Sequence, residues 1–101
     1  MSTKSRKIPV LITTDTTKRG VFFGYINPED AEKEVLRAEE VQMAVYWSAE
    51  VMGVLGLAAT GPTSNCRITK PAKSGIIRGV TFVSEVSPEA EKAWKKCPWK
   101  N

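Results

Sequence analysis

The sequence predicts an α+β domain: a small, strongly curved, mostly antiparallel sheet, barrel-like in outline, with a short central helix and a C-terminal helix. Three observations carry this. β-Branched and aromatic residues recur in short alternating stretches (IPVLITT, GVFFGYI, VQMAVYW, GIIRGVTFV) separated by polar turns. A glycine-containing apolar segment, VMGVLGLAAT, is bounded by Ser48 and by Gly61-Pro62, a helix start and a helix stop. The last segment opens on Ser87-Pro88-Glu89 and closes on lysines, the charge order a helix dipole favours.

In chain order, residues 1–7 are polar and basic and are expected to be disordered, leaving 8–101 as a single compact domain. Ile8–Thr14 and Gly20–Ile26 read as paired strands around a polar turn at Asp15–Arg19. Asn27-Pro28-Glu29-Asp30 is a turn. The following stretch, AEKEVLRAEEVQMAVYW, admits either helix or strand between residues 28 and 40. Strict alternation of Val41, Met43, Val45 and Trp47 favours a short strand at Lys33–Arg37, a turn at Ala38–Glu40 and a strand at Val41–Trp47.

Ser48 then caps a helix from Ala49 to about Ala59, with Gly61 in the C-cap role. Gly53 and Gly56 each cost that helix up to about 1 kcal/mol relative to alanine. The expected compensation is close backbone contact with a strand or another subunit. Cys66–Thr69 and Ile76–Val86 read as the last two strands, joined by a Lys/Pro/Ser/Gly turn. Ala90, Ala93, Trp94 and Cys97 form the inward stripe of the C-terminal helix.

A chain of 101 residues is one domain, and with 42% hydrophobic residues it can bury a core. No window is long and apolar enough for a transmembrane helix, and the patch IPVLI is too short for a signal peptide. The protein therefore reads as cytoplasmic, with Cys66 and Cys97 as reduced thiols. Histidine is absent, which removes the common triads and imidazole metal ligands, and two thiols cannot close a tetrahedral zinc site. An enzyme, a cofactor and a metal are accordingly not expected.

The net charge of +4 is unevenly spread. Residues 28–50 carry −5, seven acids against Lys33 and Arg37, whereas residues 67–78 carry +4 from Arg67, Lys70, Lys73 and Arg78 with no acid. This suits an anionic ligand met locally, and equally the acidic face of one subunit meeting the basic face of another, so a homo-oligomer is expected.

The set RGVFFGY, AVYW, GLAATG, CRI and GVTFVSEV, with the closing Trp99, resembles an uncharacterised family of short bacteriophage and prophage proteins over roughly residues 10–99. The resemblance implies a viral protein of unassigned activity in the cytoplasm of an infected bacterial host. It implies no catalytic residues.

The loop GPTSNCR is the best candidate site. Thr63, Ser64 and Asn65 supply hydroxyl and amide groups, loop N–H groups can form an anion nest, and Arg67 adds a charged fork suited to phosphate. The plainer reading is a helix stop whose polar residues bond their own backbone. Trp47 and Tyr25 could stack on a base near Lys70 and Lys73. By alternation, only one of Tyr46 and Trp47, and one of Phe22 and Phe23, faces the core. Cys66 beside Arg67 lacks a general base and reads as a buried inert thiol, and the acids of Glu29–Glu40 read as a solvated face.

Three functions follow. The first is a non-enzymatic protein holding a small phosphate-bearing ligand, such as a host nucleotide defence signal that it would sequester. The second is a protein–protein inhibitor of a host factor. The third, ranked last because neither nucleic acid nor a membrane is expected as a partner, is a weak nucleic-acid binder using Lys70, Lys73 and Arg78.

Overall fold

Alternation in the first third of the chain builds the expected antiparallel pair. Ile8–Thr14 (β1) runs against Val21–Ile26 (β2), with Leu11 opposite Phe23 and Val10 opposite Gly24. The computed structural model describes residues 7–14 and 20–96. The expected turn at 15–19, the basic N-terminus up to residue 6, Cys97 and Trp99 lie outside the described residues.

Asn27 leads into one turn of 3-10 helix, Pro28–Asp30, and the ambiguous stretch after it is a single strand, Val35–Tyr46 (β3). This corrects the expected break at Ala38–Glu40. Strand pairing on both sides of β3 overrides the helix propensity of AEKEVLRAEE. What the sequence signals as a turn is a β-bulge. Tyr25 pairs with Glu39 and Phe23 with Gln42, so two steps along β2 answer three along β3, and Glu40 takes up the difference at φ 52°. The bulge shifts the parity of the strand. Leu36 and Ala38 before it and Val41 after it pack in one cluster, while Ala44 joins the other.

The outer side of β3 carries two strands end to end, Arg67–Ile68 (β4) against Ala44–Tyr46 and Ala72–Arg78 (β5) against Val35–Val41. Val80–Glu85 (β6) lies at the opposite edge, on β1. The expected single strand Ile76–Val86 is thus two strands, and the segment assigned to a turn already belongs to β5. Gly79, at φ 72°, is the sole residue between Arg78 of β5 and Val80 of β6. A one-residue link between the two edges requires the sheet to curl. It curls without closing into a barrel, and the architecture is α+β, as expected.

The curl gives the sheet two apolar faces. On one, Val10, Ile12, Ile26, Leu36, Ala38 and Ile77 pack with one another and with half-buried Phe22, Val41 and Val83. On the other, Leu11, Phe23, Ala44 and Ile68 meet two helices, Gly53–Ala59 (α1) and Pro88–Lys96 (α2). Phe22 and Phe23 therefore both pack, one on each face, which corrects the expectation that one of them must lie outside the core. Trp94 of α2 is fully buried, stacked on Phe23 at 5.0 Å between ring centres, and its indole N–H donates to the Leu57 carbonyl at 3.0 Å.

The central helix begins differently from expectation. Ala49–Val51 form a 3-10 turn, Met52 is left-handed, and α1 starts only at Gly53; the Ser48 side chain makes no cap bond. Within the chain Gly56 packs against the preceding turn, not a strand, since a Cβ there would sit 1.6 Å from the Val51 carbonyl oxygen. At the other end, the Thr60 and Gly61 N–H groups both donate to the Gly56 carbonyl, and Gly61 holds φ +85° in the expected C-cap role. Ser87 caps α2 as expected. Its Oγ accepts from the Ala90 N–H at 3.0 Å and donates to the Ala59 carbonyl at 2.7 Å, tying the two helices together. Among the described residues no helix is long and apolar enough to cross a membrane.

Candidate phosphate-binding surface

The loop after α1 is held from within. Gly61 and Pro62 are buried, and the Cys66 N–H donates to the Thr63 carbonyl at 3.0 Å. The Thr63 hydroxyl and the Asn65 side-chain amide both donate to Oε2 of Glu50, at 2.8 and 2.9 Å, and the Asn65 N–H donates to the Thr63 hydroxyl at 3.3 Å. Two of the side-chain donors that the sequence offers to an external anion, Thr63 and Asn65, thus bind a carboxylate from the same chain, while Ser64 between them is exposed. Asn65 first, then Thr63, hold the Glu50 carboxyl down at about 2. Cys66 is a free thiol buried in the main core, as expected for its position.

Beyond the loop the chain turns basic and open. Arg67 opens β4 directly across from Tyr46, and Lys70 and Lys73 follow on the way into β5; all three cations are exposed. None of them forms an ion pair among the described residues. Tyr46 is 51% exposed, whereas Trp47 is half-buried against the main core. Alternation correctly requires that only one of the pair face inward, and the surface aromatic is Tyr46, not Trp47. Arg78 stands apart at the far end of β5, five residues beyond Lys73, or about 16 Å at the usual strand rise.

Tyr25 belongs to neither group. Its ring packs edge-on to Phe23 at 5.5 Å, its phenol donates to Glu91, and Lys95 Nζ lies 5.1 Å over its ring. Burial first, and the Glu91 carboxylate second, raise the phenol above its ordinary value. Beside it is a cleft of about 250 Å³ lined by Lys7, Glu39, Glu40 and Lys95. Lys7 pairs with Glu39 at 3.2 Å, so the cleft balances two ammoniums against two carboxylates and has no preference for an anion.

The structure therefore brings Arg67, Lys70 and Lys73 onto one strip, bonds Thr63 and Asn65 to Glu50, and places Tyr25 and Trp47 on packing duty elsewhere. Sequence reading missed Tyr46 as the exposed aromatic and Glu50 as the loop's partner. The alternation of Tyr46 and Trp47 was a signal for the first. Nothing in the sequence links Glu50 to a loop thirteen to fifteen residues away. Among the described residues no group of three His, Cys, Asp or Glu could hold a metal ion.

Fold and surface together define a small α+β domain with a curled antiparallel sheet and three exposed cations, Arg67, Lys70 and Lys73, along one edge, beside Glu39 and Glu40 of β3. The chain belongs to the family described as a domain of unknown function, DUF6948, whose model matches residues 7–94. No curated protein and no solved structure matches it.

Proposed function

We propose that the protein is a non-enzymatic binding domain for a phosphate-bearing ligand, contacted by Arg67, Lys70 and Lys73 with Tyr46 alongside. The observation that carries this reading is that these three cations are exposed and without an ion pair among the described residues, in a stretch free of acids. The internal Glu50 contact moves the proposal from the 61–67 loop to this strip. The strip lies along an open sheet edge, and an open edge serves consecutive phosphates of an extended strand better than one enclosed nucleotide. Single-stranded nucleic acid is accordingly the favoured ligand, with a base able to stack on Tyr46.

Edge lysines also discourage sheet-to-sheet association, and that function alone would account for Lys70 and Lys73. It would not account for an exposed tyrosine across from Arg67. The likeness to short phage proteins supports a setting in the cytoplasm of an infected bacterium, where covering single-stranded nucleic acid or withholding a nucleotide signal would both serve the phage. The test is fluorescence anisotropy with a labelled single-stranded oligonucleotide, competed by mononucleotides and cyclic dinucleotides. Binding to the oligonucleotide that weakens steeply with salt supports the strip; preferential retention of a small nucleotide returns the reading to a pocket.

A further inference from the structure

Six of the seven glycines have a structural reason to be glycine. Gly53, Gly61 and Gly79 hold positive φ, and Gly20, Gly24 and Gly56 have a neighbour within 3.1 Å of where a Cβ would stand. Gly75 has neither. It sits in mid-strand of β5 at ordinary φ, and a Cβ there would meet nothing nearer than Val41 Cγ2 at 3.9 Å. Glycine in a strand interior weakens the strand, and it often marks a bulge, a tight bend or a place that a ligand or another backbone approaches closely.

Gly75 forms part of the wall of a cavity of about 320 Å³. Its apolar lining is Phe22, Val41, Ile76 and Ile77; Ile77 belongs to the cluster on the inner side of the curl and Phe22 and Val41 pack against it, so the hollow is an open groove along the rim of that core. Arg78, the residue after Ile77 at the end of β5, also borders it and forms no ion pair among the described residues. An apolar hollow with one charged fork at its margin is the usual make-up of a small-molecule site. A guanidinium selects a carboxylate or phosphate over a cation.

We infer that this hollow binds a small amphipathic anion, with an apolar chain or ring over Gly75 against Phe22, Val41 and Ile77, and its acidic group on Arg78. The site is separate from the Arg67–Lys73 strip and does not depend on it. Gly75 keeps the hollow open: a larger side chain there would occupy the ligand's space.

The test uses octanoate as the probe and octylamine as the control of opposite charge, followed by methyl NMR of Val41 and Ile77. Octanoate should shift both methyl signals saturably. Gly75→Val, whose fold is verified by an unchanged or raised Tm, should abolish the shifts, and Gly75→Ala should weaken binding partway. Arg78→Gln should weaken octanoate about tenfold, the usual scale for removing a charged hydrogen bond. Octylamine should bind more weakly than octanoate. Absence of octanoate binding, equal binding by folded Gly75→Val, or octylamine binding as well as octanoate would overturn the inference.

Discussion

Glu50 shows how a single residue decides what a loop can do. Its carboxylate accepts from Thr63 and Asn65, and those bonds favour the ionised form. A folded-state pKa lowered to about 2 from the ordinary 4.5 means the contact stabilises the fold above about pH 4.5 and loses that contribution as pH falls toward 2. A carboxyl ¹³C titration should place the Glu50 midpoint near 2, and Asn65→Ala should move it back toward the ordinary value. A midpoint already near 4.5 in the unaltered protein would show that the loop is not closed on Glu50. The same contact explains why the site was only half legible. The residue types in GPTSNCR do announce anion-binding groups, but a partner supplied by the 3-10 turn before α1 leaves no periodic trace in the sequence. Gly61 belongs to this scale too. A methyl group there would lie 2.5 Å from Ala93 Cβ and 2.9 Å from the Ala90 carbonyl oxygen, at a φ of +85° that side chains disfavour. Gly61→Ala should cost about 2–4 kcal/mol in urea unfolding, strain and overpacking together.

At the scale of elements, α2 is the clamp. Trp94 fills the main core, stacks on Phe23 and bonds the Leu57 carbonyl, so one side chain joins α2 to both β2 and α1. Trp94→Ala should lower stability by about 3–5 kcal/mol and the melting temperature accordingly. Ser87→Ala removes a cap and a bond to the Ala59 carbonyl and should cost about 1 kcal/mol, readable in the same unfolding series. This helix was legible throughout, because cap, proline, early acids, buried Ala90 and Trp94, and closing lysines all agree. The β3 strand was legible as two pieces, one at Lys33–Arg37 and one from Val41 onward, where the period of two is plain. What the sequence hides is that they are one strand, continuous through the bulge at Glu40 and fixed by pairing with β2 and β5. Tertiary pairing outweighs local preference there.

On the scale of the whole molecule, the curl makes one short chain bury two faces. The link at Gly79 joins opposite edges, and the helices cover the outside of the bend while the sheet's own side chains fill the inside. The sequence announces the α+β class and a curved sheet. It does not announce the break at Gly79, because GIIRGVTFV reads as one apolar run until the two halves are seen to pair with β3 and β1. The curl also leaves β4 and β5 at an exposed edge, which is where the cations of residues 67–73 come to face solvent.

The binding claim rests on that edge, and the salt dependence of single-stranded oligonucleotide binding tests it most directly. Binding should be measured by anisotropy across a salt series for the unaltered protein and for the Arg67→Ala, Lys70→Ala, Lys73→Ala triple variant. The account predicts a linear fall of log K with log salt. It also predicts a triple variant weakened at least roughly tenfold, with a slope shallower by about 2, since each phosphate left unneutralised removes about 0.7. An unaltered slope in the triple variant, or no oligonucleotide binding at low salt, would contradict it.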